Sequence, residues 1–175
     1  MIKDVRTELL TIENLERYKG DIMMRQAAVD QLAKALPTGS LHLIIALHNE
    51  ALVGQVGILP SGPTESDTIP YISYPTPVLT FMEVKPEHRG RGVGRLLLKT
   101  ACKFAADSLG ATDIFLTVGV DNNSARRLYE NEGFEDWGHG TVMRPHFPLQ
   151  ADGSYLPEAV HEERYVMIKN LASSS

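Results

Sequence analysis

Three glycines at every second position, Gly90, Gly92 and Gly94, lie among three arginines, Arg89, Arg91 and Arg95. Glycines spaced in this way are poor material for a buried strand or a helix interior. They suit backbone that turns tightly, or closely approaches a ligand, at the mouth of a helix. Oriented N–H groups, a helix N-terminus and three cations make a candidate site for a phosphorylated ligand. A solvated basic loop that caps a helix accounts for the same residues, and spacing alone leaves both readings open. Just upstream, Glu83 puts a carboxylate into the apolar run Val78 to Val84. A charge in such a run calls for water, a partner or a function.

The residues downstream of the glycines exclude two phosphate-binding classes. A nucleotide P-loop needs Lys and then Ser or Thr after its last glycine, whereas Gly94 is followed by Arg95-Leu96. The dinucleotide fingerprint fails because the glycines are crowded and no acidic residue ends a strand at the required distance downstream.

Composition narrows the classes further. A chain of 175 residues, 43% of them hydrophobic, is neither disordered nor membranous, and one domain over residues 1–171 is expected, with 172–175 as a disordered tail. No apolar run approaches the length of a membrane span and the N-terminus MIKDVRTELL is no signal peptide, so no membrane partner is expected. The formal charge of −5 suits a cytoplasmic protein and argues against a nucleic-acid partner. Cys102 is the single cysteine, which rules out an intrachain disulfide, and no spacing among the six histidines suggests a metal site.

The elements that must position these residues follow from periodicity. Val5 to Ile12 alternates as a strand, Asn14 to Gly20 reads as a polar turn, and a helix is predicted from Ile22, stopped by Pro37 and Gly39. Leu41 to Leu47 and Leu52 to Leu59 form an antiparallel hairpin, with Gly54 and Gly57 marking a bulge or a close neighbour. Pro60 to Pro77 is irregular. Its Tyr71 and Tyr74 are candidates for a substrate-pocket wall or for fasteners of a surface loop. Val78 to Val84 is a strand, Gly94 to Leu109 a helix, Ile114 to Val118 a strand, and Ala125, Leu128 and Tyr129 share a helix face after an N-cap at Asp121 to Asn123. A further strand starts at Phe134, Gly138 to Glu163 is a second irregular stretch, and Arg164 to Leu171 closes the chain as a strand. Alternating strands and helices over 78–137 predict parallel pairing, and the hairpin predicts antiparallel pairing. The fold class is therefore α/β, a mixed and mostly antiparallel sheet with helices on both faces.

The segment Arg89-Gly90-Arg91-Gly92-Val93-Gly94 resembles the Arg/Gln-x-x-Gly-x-Gly/Ala motif of the GNAT superfamily of acyl-CoA-dependent N-acetyltransferases. A second region, Asn122-x-x-Ala125-x-x-Leu128-Tyr129-x-x-x-Gly133-Phe134, resembles the same family independently and in the right order. The resemblance implies that acetyl-CoA is the co-substrate, its pyrophosphate on the N–H groups of Arg89 to Arg95. It implies that the pantetheine arm runs along Met82 to Val84, where that strand splays from its neighbour near 115–118. Asn122 resembles the residue that hydrogen-bonds near the pantetheine, and it suits an N-cap equally well.

The implied chemistry is direct attack of a primary amine on the thioester, with Tyr129 as general acid and the Val84 N–H polarising the carbonyl. Glu83 takes the place where many relatives keep a base acting through water. It can instead bind the substrate ammonium or meet a basic residue. His88, His139 and His146 are also intrinsically suited to act as the base. The irregular loops, with Tyr71, Tyr74, His146 and Tyr155, suggest a small-molecule acceptor. The rivals are peptide or protein N-terminal acetylation and an acyl-CoA-binding protein without turnover. Family habit suggests a homodimer.

Overall fold

A computed structural model describes residues 3–172; most of the tail expected at 172–175 therefore lies outside the described residues. In chain order the elements are β1 (Val5–Leu9), α1 (Ile12–Tyr18), α2 (Gln26–Thr38), β2 (His42–His48), β3 (Ala51–Leu59), β4 (Val78–Val84), a 3-10 turn (Pro86–His88), α3 (Val93–Leu109), β5 (Asp113–Gly119), α4 (Asn123–Asn131), β6 (Glu135–His146) and β7 (Val160–Asn170). The seven strands form one sheet in the order β1-β2-β3-β4-β5-β7-β6. Only β4 and β5 pair in parallel; every other neighbouring pair is antiparallel.

Helices cover both faces. Alternate residues of β2 separate the two cores: Leu43, Ile45 and Leu47 pack with Leu15 and Tyr18 of α1 and Val29 and Leu32 of α2. Ile44 and Ala46 face the other way, onto Val93, Leu97, Ala101 and Ala105 of α3. A strand sandwiched in this way has to be apolar throughout, as Leu43 to Leu47 is.

Several expectations are corrected. The segment Asn14 to Gly20 is mostly helix: Asn14 accepts the Thr11 N–H at 2.7 Å, starting a two-turn helix where a turn was predicted. Helix α2 starts at Gln26 and not Ile22, because Ile22 and Met24 are buried and the backbone of Met23 is taken by the side chain of Gln55. Pro37 sits in its last turn, and Gly39, at φ 70°, terminates it. Strand β7 lies between β5 and β6, so the expected parallel run across 78–137 holds only for β4 and β5. The hairpin of β6 and β7 extends from Glu135↔Ile168 to His146↔Val160, which shortens the second irregular stretch to 147–159.

Two local features of β4 create the site. Its parallel pairing with β5 consists of Val78↔Phe115 and Leu79↔Leu116, after which the strands part. On its other edge Gln55 is opposite Glu83 and Gly57 opposite Thr80, so Phe81 and Met82 together face the single residue Val56. This β-bulge holds Phe81 at φ 51°, a left-handed conformation rare for an aromatic residue.

Candidate active site

Beyond the bulge, successive residues of β4 face opposite sides of the sheet. Glu83 lies across from Gln55, whose side chain contacts the α1–α2 loop, so Glu83 faces that loop. It lines a cavity of about 650 Å³ with Met23 and Arg25 of the loop and with Tyr155, Leu156 and Pro157 from the β6–β7 connection. Met82 and Val84 face α3. A Cβ added to Gly94 would lie 3.4 Å from Met82 Cε, 3.8 Å from Val84 Cγ2 and 3.2 Å from Leu128 Cδ2. The glycine thus permits close approach of α3, β4 and α4.

The backbone of this second face is open. Lys85 N donates to Val53 O at 2.9 Å, and N–H groups alternate in direction along a strand, so the Val84 N–H points towards the side that β5 has left. The Val84 carbonyl points the same way and accepts from Arg89 Nε at 2.9 Å. At the head of α3, Gly90 and Gly92 take φ values of 70° and 88°, and no side chain caps the helix. Its first N–H groups are therefore left without intrahelical partners. Val93 is buried beneath them, whereas Arg91 is exposed. The other two arginines are committed within the protein: Arg89 also lies 3.9 Å from Glu83, and Arg95 pairs with the nearly buried Glu132 at 2.5 Å. An anion placed at this turn would meet chiefly backbone N–H groups and Arg91.

Tyr129, on α4, is buried edge-on to Phe134 at 6.0 Å, yet its hydroxyl has no hydrogen-bond partner among the described residues. Burial pushes its pKa up to about 12, with the Glu83 charge adding to the rise and Arg164 opposing it. The phenol is consequently a protonated donor at neutral pH. Burial also raises Glu83 above the ordinary glutamate value, against the pull of Arg89 and His146. Tyr155 is raised by burial and then by Glu83. Tyr129, Tyr155, His146 and Arg89 are thereby all within electrostatic reach of Glu83.

Asn122 is the N-cap of α4, accepting the Ala125 N–H at 3.1 Å. Tyr71 and Tyr74 do not line the cavity: Tyr71 stacks on His139 at 4.0 Å and meets Trp137 edge-on, and Tyr74 is exposed. Sequence reasoning missed Arg25, Gln55 and Arg164. Gln55 carried a signal of the same kind as Glu83, a polar residue inside an apolar strand. Arg164, bonded to Thr117 Oγ1 and O at 2.9 Å each, carried none.

The family model described as Acetyltransferase (GNAT) family matches residues 8–134. The chain belongs to the GNAT family of acetyltransferases. It is 37% identical over 108 residues to an uncharacterised protein of Mycobacterium leprae, covering 61% of this chain and 26% of that protein. It is 39% identical over 56 residues to the spermidine N(1)-acetyltransferase of Vibrio cholerae, covering 32% of each. The chain thus spans a third or less of these relatives' lengths. A solved variant of the Vibrio cholerae spermidine N-acetyltransferase superposes with a TM-score of 0.68 over 98% of this chain and 96% of that one, at 18% identity, a likeness of fold.

Membership implies acetyl-CoA as co-substrate, and the residues present fit it: an uncapped helix N-terminus, a cradle at Gly94 that a side chain would crowd, and an open strand edge at Val84. Among the described residues, no group of three or more His, Cys, Asp or Glu side chains could hold a metal ion, and no helix is long and apolar enough to cross a membrane.

Proposed function

We propose that the chain moves an acetyl group from acetyl-CoA to the primary amine of a small molecule by direct attack in a ternary complex. The observation that carries this reading is the division of labour along β4. Val84 offers an open N–H on the side of the glycine cradle, while the adjacent Glu83 faces a separate cavity. Donor and acceptor sites therefore meet across one peptide unit, as direct attack requires.

Acetyl-CoA supplies an activated thioester: as the amine nitrogen bonds to the carbonyl carbon, the carbon–sulfur bond breaks. The backbone around Gly92 to Arg95 and the side chains of Met82 and Val84 hold that group. The Val84 N–H polarises the carbonyl oxygen. Glu83 receives the proton lost by the acceptor ammonium, directly or through water, and burial, which raises its affinity for protons, favours that role. The Tyr129 hydroxyl delivers a proton to the departing sulfur. Its high pKa keeps it loaded until a thiolate develops. The second proton, shed by the nitrogen as it becomes an amide, returns through water to the phenolate, while the one on Glu83 passes to solvent.

The test is release of CoA thiol from acetyl-CoA in the presence of amines, aminoglycosides and short peptides, over roughly pH 6 to 9. Turnover with small amines supports the proposal. Turnover confined to peptides selects N-terminal acetylation, and tight acetyl-CoA binding without turnover selects a binding protein.

A further inference from the structure

Resting on the acetyltransferase reading above, we infer that the acceptor is an amine that also carries a carboxylate, with Arg25 as the residue that recognises the carboxylate. The charges around the acceptor cavity support this. Among the described residues that line it, the single carboxylate is Glu83, against three cations, Arg25, Lys85 and Arg89. Two of these have partners: Lys85 lies 3.5 Å from Asp21, and Arg89 bonds to Val84 O beside Glu83. Arg25 has no anionic partner among the described residues.

The half-buried guanidinium of Arg25 is held in place by stacking, its carbon 3.5 Å from the ring centroid of Phe147. A guanidinium stacked by its face keeps its N–H edge free, and that planar fork matches a carboxylate. Phe147 and Arg25 come from the β6–β7 connection and the α1–α2 loop, so the contact also ties together the two segments that wall the cavity. Much of the remaining lining is apolar, with Met23, Leu149, Leu156 and Pro157 contributing.

An acceptor that fits these walls presents its amine to Glu83, its carboxylate to Arg25 and an apolar body to the methionine, leucine and proline side chains. A polyamine fits poorly. With one ammonium at Glu83, its others would lie in a cavity whose described residues offer one unpaired charge, the positive Arg25, and no second carboxylate. The inferred class is therefore amino-acid-like: apolar amino acids or their small conjugates.

The experiment compares kcat/KM for matched pairs, apolar amino acids as free acids against their methyl esters, with spermidine alongside. A charge-assisted bidentate contact corresponds to a preference for the acid of about tenfold or more. In Arg25→Gln this acid-to-ester ratio falls to near one, Arg25→Lys retains part of it, and Phe147→Leu reduces it by freeing the guanidinium. Acetyl-CoA affinity, read by calorimetry, stays the same in all three. Equal use of acids and esters by the unaltered protein, or a preference for spermidine, overturns the inference while leaving acetyl transfer intact. Absence of transfer to every amine despite acetyl-CoA binding overturns instead the reading on which it rests.

Discussion

Gln55 holds Met23 as a neighbouring strand would. Its Oε1 accepts the Met23 N–H at 2.8 Å, and its Nε2 donates to Met23 O at 3.1 Å and to Phe81 O at 3.3 Å. One fully buried amide thereby joins the acceptor loop to the bulge that orients Glu83. Replacing it by leucine fills the space but leaves the Met23 N–H and the Phe81 carbonyl without their partner. A loss of about 1–3 kcal/mol in unfolding free energy is expected from denaturant titration. Because the loop moves but the α3 cradle does not, the acceptor KM rises while the acetyl-CoA Kd is unchanged. Equal effects on both would show that Gln55 only supports the core.

Tyr129→Phe separates chemistry from packing. The hydroxyl bonds to nothing among the described residues, so its removal costs little stability and the melting temperature holds. Loss of a positioned proton donor lowers kcat by about 10²–10⁴. Unchanged turnover in the variant would remove Tyr129 from the mechanism.

The pH profile reports Glu83. Its proton affinity is raised by burial above the ordinary value of 4.5, and activity is lost as pH falls through it. A positive His146 favours the ionised carboxylate, so removing it raises the Glu83 pKa further. The acid limb of kcat/KM in His146→Ala therefore shifts to higher pH, and in Glu83→Gln it disappears. Rate measurements across that limb check both outcomes; a shift to lower pH would contradict this arrangement.

At Gly54, α3 packs directly against the sheet. A Cβ there would sit 2.9 Å from Leu97 Cδ1, 3.1 Å from Val93 Cγ1 and 3.2 Å from the carbonyl oxygen of Glu83. Gly54→Ala is expected to cost about 1–3 kcal/mol by overpacking. Displacement of the Glu83 backbone should lower kcat as well, which denaturation and initial-rate measurements can follow separately.

Cys102 is buried, and burial raises its pKa to about 11. It should resist thiol reagents in the folded protein at neutral pH and react fully in denaturant, so it will not contribute to a thiol-release signal. Rapid labelling of the native protein would show that α3 opens.

What could be read beforehand was local. The glycines at 90, 92 and 94, the apolar β4 with its intruding Glu83, and the helix face with Tyr129 each lie within one short window, where spacing carries the information. The features that escaped depend on distant partners. Helix α1 buries only Leu15 and Tyr18, too few to set up a period. The β-bulge depends on the pairing of β4 with β3, and nothing local in Phe81 announces a left-handed backbone. The extension of β6 and β7 involves polar residues such as Arg144 and Glu162, which look like loop until paired with each other. The cavity wall joins residues 22–27 to 149–157, and no single window contains both.

The alternation of side chains along β4 also bears on how such a protein can change. The donor cradle is built from the end of β4, the head of α3 and α4, whereas the acceptor walls come from the α1–α2 loop and the β6–β7 connection. These two sets share the short segment around Glu83 and Val84 and little else. On the proposed function, exchange of the two wall segments would change the acceptor while leaving the thioester chemistry in place. Drift in one chamber is insulated from the other by the thickness of a single strand.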